Sequence, residues 1–276
     1  MSFGYRRRYT GAVQAVIFDW AGTTVDHGSC APAGVFVQAF ALHGLQVSVA
    51  QARGPMGIHK REHVRTLLEL ESVREQFEKA QRRAATEADI DAIYADATRL
   101  QIDCLKDYAD PIPGVLKTLA QLRQRGIKIG SCTGYVTAMM DVLVPAAAAK
   151  GFAPDTWVCA SDVTSARPSP QMALLNVIRL DAGPIQACVK VGDTVADVEE
   201  GLNAGMWSVA VTLTGNEVGL SEKELAALDA AERERRRTRA ADKLARAGAH
   251  YVIDAVSDLP GVIAEIEARL ARGEAP

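Results

Sequence analysis

Short apolar segments alternate with helical patterns along most of this chain, and this alternation constrains its fold more than any other feature. Each segment is flanked by glycine, proline or polar turn residues, which is typical of a buried parallel strand. Strands that alternate with helices predict a doubly wound α/β fold built on a parallel sheet. The predicted strands are 15–18, 128–131, 157–160, 188–191, 208–213 and 251–253, and the predicted helices between them are 114–125, 137–150, 170–180, 195–203 and 259–269.

The stretch from about residue 29 to residue 106 interrupts this alternation. It has no clear strand pattern, whereas helical periodicity runs through 34–42, 60–70, 72–83 and 87–105. We interpret 29–106 as an α-helical cap domain inserted after the first strand, and 1–28 with 107–276 as the α/β core. Open α/β sheets place their sites at the carboxyl ends of the strands, so we expect the cap to cover that edge and exclude water.

Composition excludes several classes of function. The net charge of -3 argues against nucleic acid or an anionic membrane as the main partner. No run of roughly 18 uncharged apolar residues occurs, so a membrane-spanning helix is not expected. Five scattered cysteines without metal-ligand spacing favour free thiols in a reducing cytoplasm. We therefore expect a cytoplasmic protein, with residues 1 to about 12 as a mobile tail or a dimer contact.

Residues suited to phosphoryl chemistry follow the predicted strands at one edge of the sheet. A carboxylate that attacks phosphorus needs its own charge and that of the phosphoryl oxygens neutralised. Mg²⁺ held between Asp19 and Asp193 would do this, because hard cations prefer carboxylate oxygens. Arg167 would add a permanent positive charge, and the hydroxyl of Ser131 or Thr133 would donate a hydrogen bond to the same oxygens.

In chain order, these segments resemble the four motifs of the haloacid dehalogenase superfamily. The first motif is usually Asp-x-Asp-x-Thr, in which the first Asp attacks phosphorus and the second protonates an oxygen leaving group. Here residues 19–23 read Asp-Trp-Ala-Gly-Thr, so the acid is replaced by Ala21, whose side chain cannot transfer a proton. The carbonyl of Ala21 can still bind Mg²⁺, and Asp197, one helical turn after Asp193, is expected to support the metal's water shell.

Lys60 begins a predicted helix of the cap, after a glycine-containing loop at 54–57. An ammonium at a helix N-terminus and near Arg61 is electrostatically unfavourable, which lowers the pKa of Lys60 and favours the neutral amine that forms Schiff bases. His63 lies one turn later on the same face and could transfer protons. The same local pattern is also typical of a surface lysine and of a partly buried helical histidine.

The missing acid and the cap lysine together fit one kind of chemistry. If a substrate carbonyl lies β to phosphorus, Lys60 can convert it into an iminium, which accepts the electrons of a breaking C–P bond. No oxygen leaving group then needs a proton, and Ala21 is no longer a defect. Arg167, which stands where the superfamily usually has lysine, leaves no second amine near the aldehyde.

This combination resembles the phosphonoacetaldehyde hydrolase (phosphonatase) family, a capped branch of the superfamily, over nearly the whole chain. The resemblance implies hydrolysis of phosphonoacetaldehyde to acetaldehyde and phosphate, in the degradation of 2-aminoethylphosphonate. It implies Asp19 as nucleophile, Lys60 as Schiff-base lysine, and Mg²⁺ bound by Asp19, the Ala21 carbonyl and Asp193. It also implies a homodimer formed through the caps. The matching segments are Asp-Trp-Ala-Gly-Thr-Thr at 19–24, Gly-x-Met-Gly-x-x-Lys-x-x-His at 54–63, Thr-Gly-Tyr at 133–135, Arg-Pro-x-Pro at 167–170 and Gly-Asp-Thr at 192–194.

Some positions leave alternatives open. The resemblance implies that Met56 and Tyr135 lie near the substrate, although a core methionine and a surface tyrosine are equally compatible with the pattern. Ser29 stands where the family is expected to have cysteine, and Cys30 is displaced by one residue. Two other functions also fit parts of the sequence: a metal-independent haloacid dehalogenase, and a phosphate-binding module without catalytic activity.

Overall fold

Six parallel strands form the central sheet in the computed structural model, which describes residues 8–276. The strands are β1 (Ala15–Phe18), β2 (Lys128–Thr133), β3 (Thr156–Cys159), β4 (Cys188–Gly192), β5 (Trp207–Val211) and β6 (Tyr251–Ile253). Their order is β3-β2-β1-β4-β5-β6, with β1 at the centre. The predicted α/β class and all six predicted strands are confirmed, with strand ends shifted by at most about two residues.

Five helices lie within residues 29–106, where the sequence predicts a helical insertion. Their apolar faces pack together in a cluster separate from the core beneath the sheet, around buried Phe36, Phe40, Leu67 and Ile93. One of the five is too short to show helical periodicity, and the sequence pattern missed it for that reason. The helices are α1 (Cys30–Leu42), α2 (Val49–Arg53), α3 (Lys60–Glu69), α4 (Glu71–Gln81) and α5 (Glu87–Cys104).

Two linkers join this helical insertion to the sheet. Val25 on the outgoing linker forms an antiparallel bridge with Pro111 on the returning one, so the two linkers run side by side in opposite directions. Asp26 accepts hydrogen bonds from the backbone N–H groups of Cys30 and Ala31, at 3.0 and 3.1 Å. Its carboxylate therefore satisfies the free amides at the start of α1, as an N-capping side chain does.

The remaining helices cover both faces of the sheet. Apolar residues of α6, α7 and α12 contribute to the largest core cluster, whereas α8 packs on the opposite face against β1, β2 and β3. This arrangement completes the doubly wound fold. The helices are α6 (Val115–Gln124), α7 (Thr137–Ala149), α8 (Gln171–Arg179), α9 (Val195–Asn203), α10 (Glu222–Ala226), α11 (Ala230–Arg246) and α12 (Leu259–Ala271).

Strand register brings the predicted site residues to one edge. Phe18 at the end of β1 pairs with Ser131 of β2 on one side and with Val191 of β4 on the other. Asp19 therefore emerges between the ends of the two neighbouring strands, and Asp193 follows directly after β4. The chain order of an α/β sheet reverses at such a central strand, which is where ligands bind.

Two further expectations concern the N-terminal tail and membrane-spanning helices. The predicted N-terminal tail falls largely outside the described residues, since 1–7 are not among them. Within 8–276, none of the helices combines the length and the apolar character needed to cross a membrane.

Candidate active site

A narrow cavity between the helical insertion and the sheet edge brings together residues from both parts. The core contributes Asp19, Ala21, Thr133, Tyr135 and Arg167, and the insertion contributes Met56 and Lys60. The cavity volume is about 20 Å³, which leaves room for about one water molecule. In this arrangement the cavity is too small for a substrate of several heavy atoms.

Gly57 allows the insertion to approach the core this closely. Its φ is +94°, and a Cβ at this position would lie 2.4 Å from Oγ1 of Thr194. The neighbouring backbone packs equally tightly, because a Cβ on Gly134 would lie 2.9 Å from the carbonyl oxygen of Ile58. The loop before α3 thus rests directly on the sheet edge, and it brings Lys60 into the same cavity as Asp19.

Arg167 is the centre of a buried ion-pair network. Its Nη1 lies 2.7 Å from Oδ1 of Asp19 and 3.0 Å from Oδ1 of Asp197. Its Nε donates to Oε2 of Glu200 at 2.8 Å, and its Nη2 donates to the carbonyl of Cys132 at 2.8 Å. All the guanidinium nitrogens are therefore engaged, and the arginine is fixed in one orientation beside Asp19.

Asp19 remains mostly ionised near neutral pH, although its environment raises its pKa. Burial and the charge of Asp197 raise its pKa, Arg167 lowers it, and the resulting pKa is about 6. About nine-tenths of the carboxyl groups are then charged at pH 7. An ionised carboxylate held by a fixed arginine is suited to nucleophilic attack.

Asp197 lies close to Asp19 and Asp193, as expected, and it also belongs to the ion-pair network. Its Oδ1 lies 2.5 Å from Nζ of Lys190, and its Oδ2 accepts a hydrogen bond from Oγ1 of Thr194 at 2.6 Å. Although burial opposes its charge, Arg167 and Lys190 hold the pKa of Asp197 below its usual value. Its carboxylate therefore orients the cations of the network, and the expected support of a metal's water shell stays a prediction.

Lys190 is a second buried amine that sequence reasoning missed. It lies in β4, and its Nζ is 3.5 Å from Oε2 of Glu200 as well as close to Asp197. Burial opposes the charge, but Asp197 raises the pKa of Lys190, so it remains an ammonium. Lys190 does not line the cavity. A lysine inside an apolar strand requires a buried carboxylate, and this signal was available in the sequence.

Asp193 lies beside Asp19 and is fully buried. Its Oδ1 accepts a hydrogen bond from Oγ1 of Thr23 at 3.0 Å, and its Oδ2 accepts one from the backbone N–H of Asn216 at 2.7 Å. Gly22, with φ +86°, makes room for it, since a Cβ there would lie 2.2 Å from Oδ2. Burial and the neighbouring carboxylates raise the pKa of Asp193 well above its usual value.

The donor set fits a divalent cation. Carboxylate oxygens of Asp19, Asp193 and Asp197 lie within 4.8 Å of one another. With Glu200, this buried cluster holds four acidic groups, and its ion pairs involve two cations, Arg167 and Lys190. With all four groups ionised, two negative charges are left over, and one divalent cation would neutralise them. Without the cation, burial and this excess charge raise the pKa of Asp193. Among the hydrogen bonds of residues 8–276, none uses the carbonyl oxygen of Ala21, which leaves it available as a ligand.

Lys60 lies in an apolar part of the cavity. Its side chain is buried, its Nζ lies 3.7 Å from Sδ of Met56, and it is 5.3 Å from the ring centroids of Phe36 and Tyr135. Both Met56 and Tyr135 line the cavity. This environment offers little hydration to an ammonium, which favours the neutral amine.

The pKa of Lys60 is shifted in the predicted direction, but for a different reason. Burial lowers the pKa of Lys60 most, Asp19 opposes this shift, Arg167 adds to it, and the resulting pKa is about 8. Arg61, which the sequence suggested as the cause, turns away to donate hydrogen bonds to Asp91 and Glu87 at 2.7 Å each. Desolvation by the closed insertion therefore has more influence on the amine than the helix N-terminus does.

His63 lies behind Lys60 and does not line the cavity. Its ring stacks on Phe36 with centroids 3.8 Å apart, and its Nε2 lies 2.8 Å from the carbonyl oxygen of Ala52. Nε2 therefore carries the proton, and burial lowers the pKa of His63 well below its usual value. A proton-transfer role for His63 stays a prediction, and in this position the ring supports Phe36 next to the amine.

The contacts of Ser131 and Ser29 show which of the expected hydroxyl and thiol groups line the cavity. Ser131 is buried, its Oγ accepts a hydrogen bond from Nε1 of Trp20 at 2.9 Å, and Thr133 rather than Ser131 lines the cavity. Ser29 also lines the cavity, whereas Cys30 does not. A hydroxyl therefore occupies the place where the sequence comparison led us to expect a thiol.

Comparison with known proteins gives a consistent picture. The family model described as haloacid dehalogenase-like hydrolase matches residues 13–205. Curated phosphonoacetaldehyde hydrolases of Nitratidesulfovibrio vulgaris and Klebsiella pneumoniae are 51% and 50% identical to this chain, covering 98% and 96% of it and 96% and 99% of their own lengths. A crystal structure of a phosphonoacetaldehyde hydrolase-like protein from Oleispira antarctica is 40% identical, covers 100% of both chains and superimposes with a TM-score of 0.97.

We predict that the amine of Lys60 titrates with a midpoint near pH 8. The neutral fraction should rise as the pH is raised through this value, because burial disfavours the ammonium. NMR of protein labelled at lysine Cε and Nζ measures the midpoint, and the signal is assigned by its loss in Lys60→Met. A midpoint near the ordinary 10.5 would mean that the closed insertion leaves this amine hydrated.

Proposed function

This chain belongs to the phosphonoacetaldehyde hydrolases, within the haloacid dehalogenase-like hydrolases, and we propose that it cleaves the C–P bond of phosphonoacetaldehyde through a Lys60 Schiff base and an Asp19 phosphoryl intermediate. One observation carries this proposal: Lys60 of the insertion and Asp19 of the core line the same cavity. The two groups act on the two ends of one substrate, since the aldehyde needs an amine and the phosphorus needs a nucleophile.

The two ends of the substrate bind to different groups of residues in the cavity. The phosphonate oxygens bind near Arg167 and Thr133, which supply a fixed positive charge and a hydroxyl beside Asp19. The aldehyde lies towards Lys60, among the apolar side chains of Met56 and Tyr135. Closing the insertion then excludes water from a reaction in which water would compete for the aldehyde.

The first covalent step takes place on Lys60. Its neutral amine adds to the aldehyde carbon, and loss of water gives an imine that is protonated to the iminium. With a pKa of about 8, about a tenth of the lysines are neutral at pH 7. This fraction is about 300-fold larger than for a lysine with the ordinary pKa, so burial supplies the reactive form.

C–P cleavage follows on the core side. Asp19 attacks phosphorus, the C–P bond breaks, and its electron pair moves into the iminium to form an enamine. Protonation of the enamine carbon and hydrolysis release acetaldehyde and free Lys60, and water cleaves the aspartyl phosphate to release phosphate. No alkoxide leaves at any stage, so Ala21 in place of an acid is compatible with the whole sequence.

Asp19, Asp193 and the carbonyl of Ala21 would hold Mg²⁺. When bound, the ion supplies positive charge for the carboxylates and the phosphoryl oxygens. The two uncompensated negative charges of the buried cluster support this assignment. They also argue against a metal-free dehalogenase, and the buried lysine in the cavity argues against a module that only binds phosphate.

Several features of context complete the proposal. Residues 29–106 act as the cap that opens and closes, since they have an apolar core of their own. The protein acts in the cytoplasm in degradation of 2-aminoethylphosphonate. It forms a homodimer through the caps, and the exposed apolar side chains of Leu42 and Val49 on the cap support such a contact.

Borohydride reduction in the presence of phosphonoacetaldehyde should trap an adduct on Lys60. Peptide mapping by mass spectrometry locates it, with the exposed Lys79 of α4 as an internal control for non-specific reduction. Lys60→Arg keeps a positive charge but cannot form an imine, so it should lose activity by at least about 1,000-fold. Activity close to that of the wild type in this variant would exclude the imine mechanism.

Mg²⁺ should raise the thermal melting temperature of the wild-type protein by about 5–10 °C at saturating concentration, because it binds the folded cluster. Asp193→Asn removes a carboxylate ligand whose ionised form is already disfavoured without metal, so this variant should melt close to the wild type without metal and lose the Mg²⁺ response. Asp103→Asn, at an exposed position on α5, is the matched control. An equal Mg²⁺ shift in both variants would show that the ion binds elsewhere.

A further inference from the structure

Arg53, the last residue of α2, connects the cap to the core at a distance from the reacting groups. Its Nη1 donates to the carbonyl oxygens of Gly28 and Ser29, at 2.7 and 3.2 Å, and to Oδ1 of Asn216 at 3.1 Å. Its Nη2 donates to the carbonyl oxygen of Gly219 at 3.0 Å. The first two acceptors belong to the outgoing linker, and the other two belong to the core loop after β5.

Asn216 hydrogen-bonds to Arg53 in return and also contacts the proposed metal site. Its Nδ2 donates to the carbonyl oxygen of Arg53 at 3.2 Å, so the two residues bond in both directions. Its backbone N–H donates to Oδ2 of Asp193 at 2.7 Å. Asn216 is buried, although no feature of the catalytic scheme uses its side chain. A single residue therefore contacts both the cap and a carboxylate of the proposed metal site.

The segment that Arg53 holds is the one that carries the cap's reactive residues. Met56 and Lys60 lie three and seven residues after Arg53. Between them, Gly57 packs closely against Thr194 of the core. Arg53 fixes the start of this segment, and the contact of Gly57 fixes its middle. The direction of the Lys60 side chain is determined by both attachments, since catalytic groups lose effect when displaced by small distances.

We propose that Arg53 and Asn216 form a clasp that holds residues 53–60 against the core and so positions Lys60 over Asp19 during the reaction. The proposal rests on the function assigned above and adds two positioning residues to it. Arg53 lines a groove of about 1110 Å³ between α2 and α11, on the outer side of the clasp, and neither Asp19 nor Lys60 lines that groove. The clasp therefore acts through the segment it holds, without touching the substrate.

The planar guanidinium is essential for this role. It reaches four acceptors on two separate chain segments, and a lysine ammonium at the same position has a single nitrogen. When the cap opens, the acceptors on the core loop separate from Arg53, whereas the linker acceptors move less. Closing then restores a defined set of hydrogen bonds and selects one position of the segment.

Arg53→Ala tests the clasp, with Arg74→Ala on the exposed face of α4 as the matched control. We expect kcat/KM for phosphonoacetaldehyde to fall about 10- to 100-fold in Arg53→Ala and less than about 2-fold in the control. When residues 53–60 are no longer held against the core, water reaches the amine of Lys60 and stabilises its ammonium form. The pH midpoint at which Lys60 loses its proton, seen in the pH profile of kcat/KM, should therefore rise by about half a unit or more. Amide hydrogen exchange at 54–60 should accelerate about 10-fold or more.

A second pair of variants separates positioning from general loss of stability. Asn216→Ala removes the side-chain contacts with Arg53 and keeps the backbone N–H to Asp193, so it should resemble Arg53→Ala. The double variant should lose no more than about 2-fold beyond the worse single variant, since both remove the same contact. Arg53→Lys should recover only part of the activity and of the exchange protection.

The outcomes distinguish this proposal from the proposed function. If the wild type does not hydrolyse phosphonoacetaldehyde, the proposed function fails, while hydrogen exchange at 54–60 still decides the clasp. If Arg53→Ala and Arg53→Lys keep the wild-type pH midpoint and exchange rates, the clasp is wrong even where turnover is normal. Should Arg53→Ala fail to fold, the same two readouts on Arg53→Lys and Asn216→Ala give the decision.

Discussion

The buried ion pair between Arg167 and Asp19 is the interaction on which the rest of the site depends. It holds Asp19, the proposed nucleophile, in place and partly offsets the cost of burying its charge, so that Asp19 has a pKa of about 6. Asp197 and Glu200 orient the guanidinium from behind, and Lys190 in turn balances them. Removing one partner would leave a buried charge uncompensated, which is strongly unfavourable. The number of carboxylates in this network is why we propose that it binds a divalent cation.

In the proposed mechanism, closing the cap has two linked consequences. It removes water from the cavity, and the same desolvation lowers the pKa of Lys60 to about 8. The reactive amine therefore forms most readily in the closed state, when the aldehyde is protected from solvent. Ala21 is consistent with this arrangement, because an iminium on Lys60 takes up the electrons that an acid would otherwise have to neutralise. The two sides of the cavity thus depend on each other for one reaction.

Much of the fold followed from local pattern, because short apolar runs bounded by turn residues leave few alternatives to buried parallel strands. The helical insertion was visible for the same reason, except for α2, whose five residues are too few for periodicity. Asp19, Thr133 and Asp193 were predictable because they lie at or directly after strand ends at one edge of the sheet, and Arg167 because its motif lies in the loop after β3. Contacts between distant segments were not predictable, and Glu200, Arg53 and Asn216 acquire their roles only through tertiary packing. The apolar strand around Lys190 indicated a buried carboxylate partner but not which one. The burial of His63 behind Lys60 also could not be read from helical spacing, which gives a face but not its depth.

The central claim is that Lys60 activates the aldehyde and Asp19 then breaks the C–P bond, and the composition of the borohydride adduct on Lys60 tests this division most directly. In the wild-type protein, cleavage precedes reduction, so mass spectrometry should find an ethyl group on Lys60. Asp19→Ala keeps the amine but lacks the nucleophile, so its adduct should retain phosphorus as a phosphonoethyl group. An ethyl group on Lys60 in Asp19→Ala, formed at the wild-type rate, would contradict the account, as would the absence of any Lys60 adduct in both proteins.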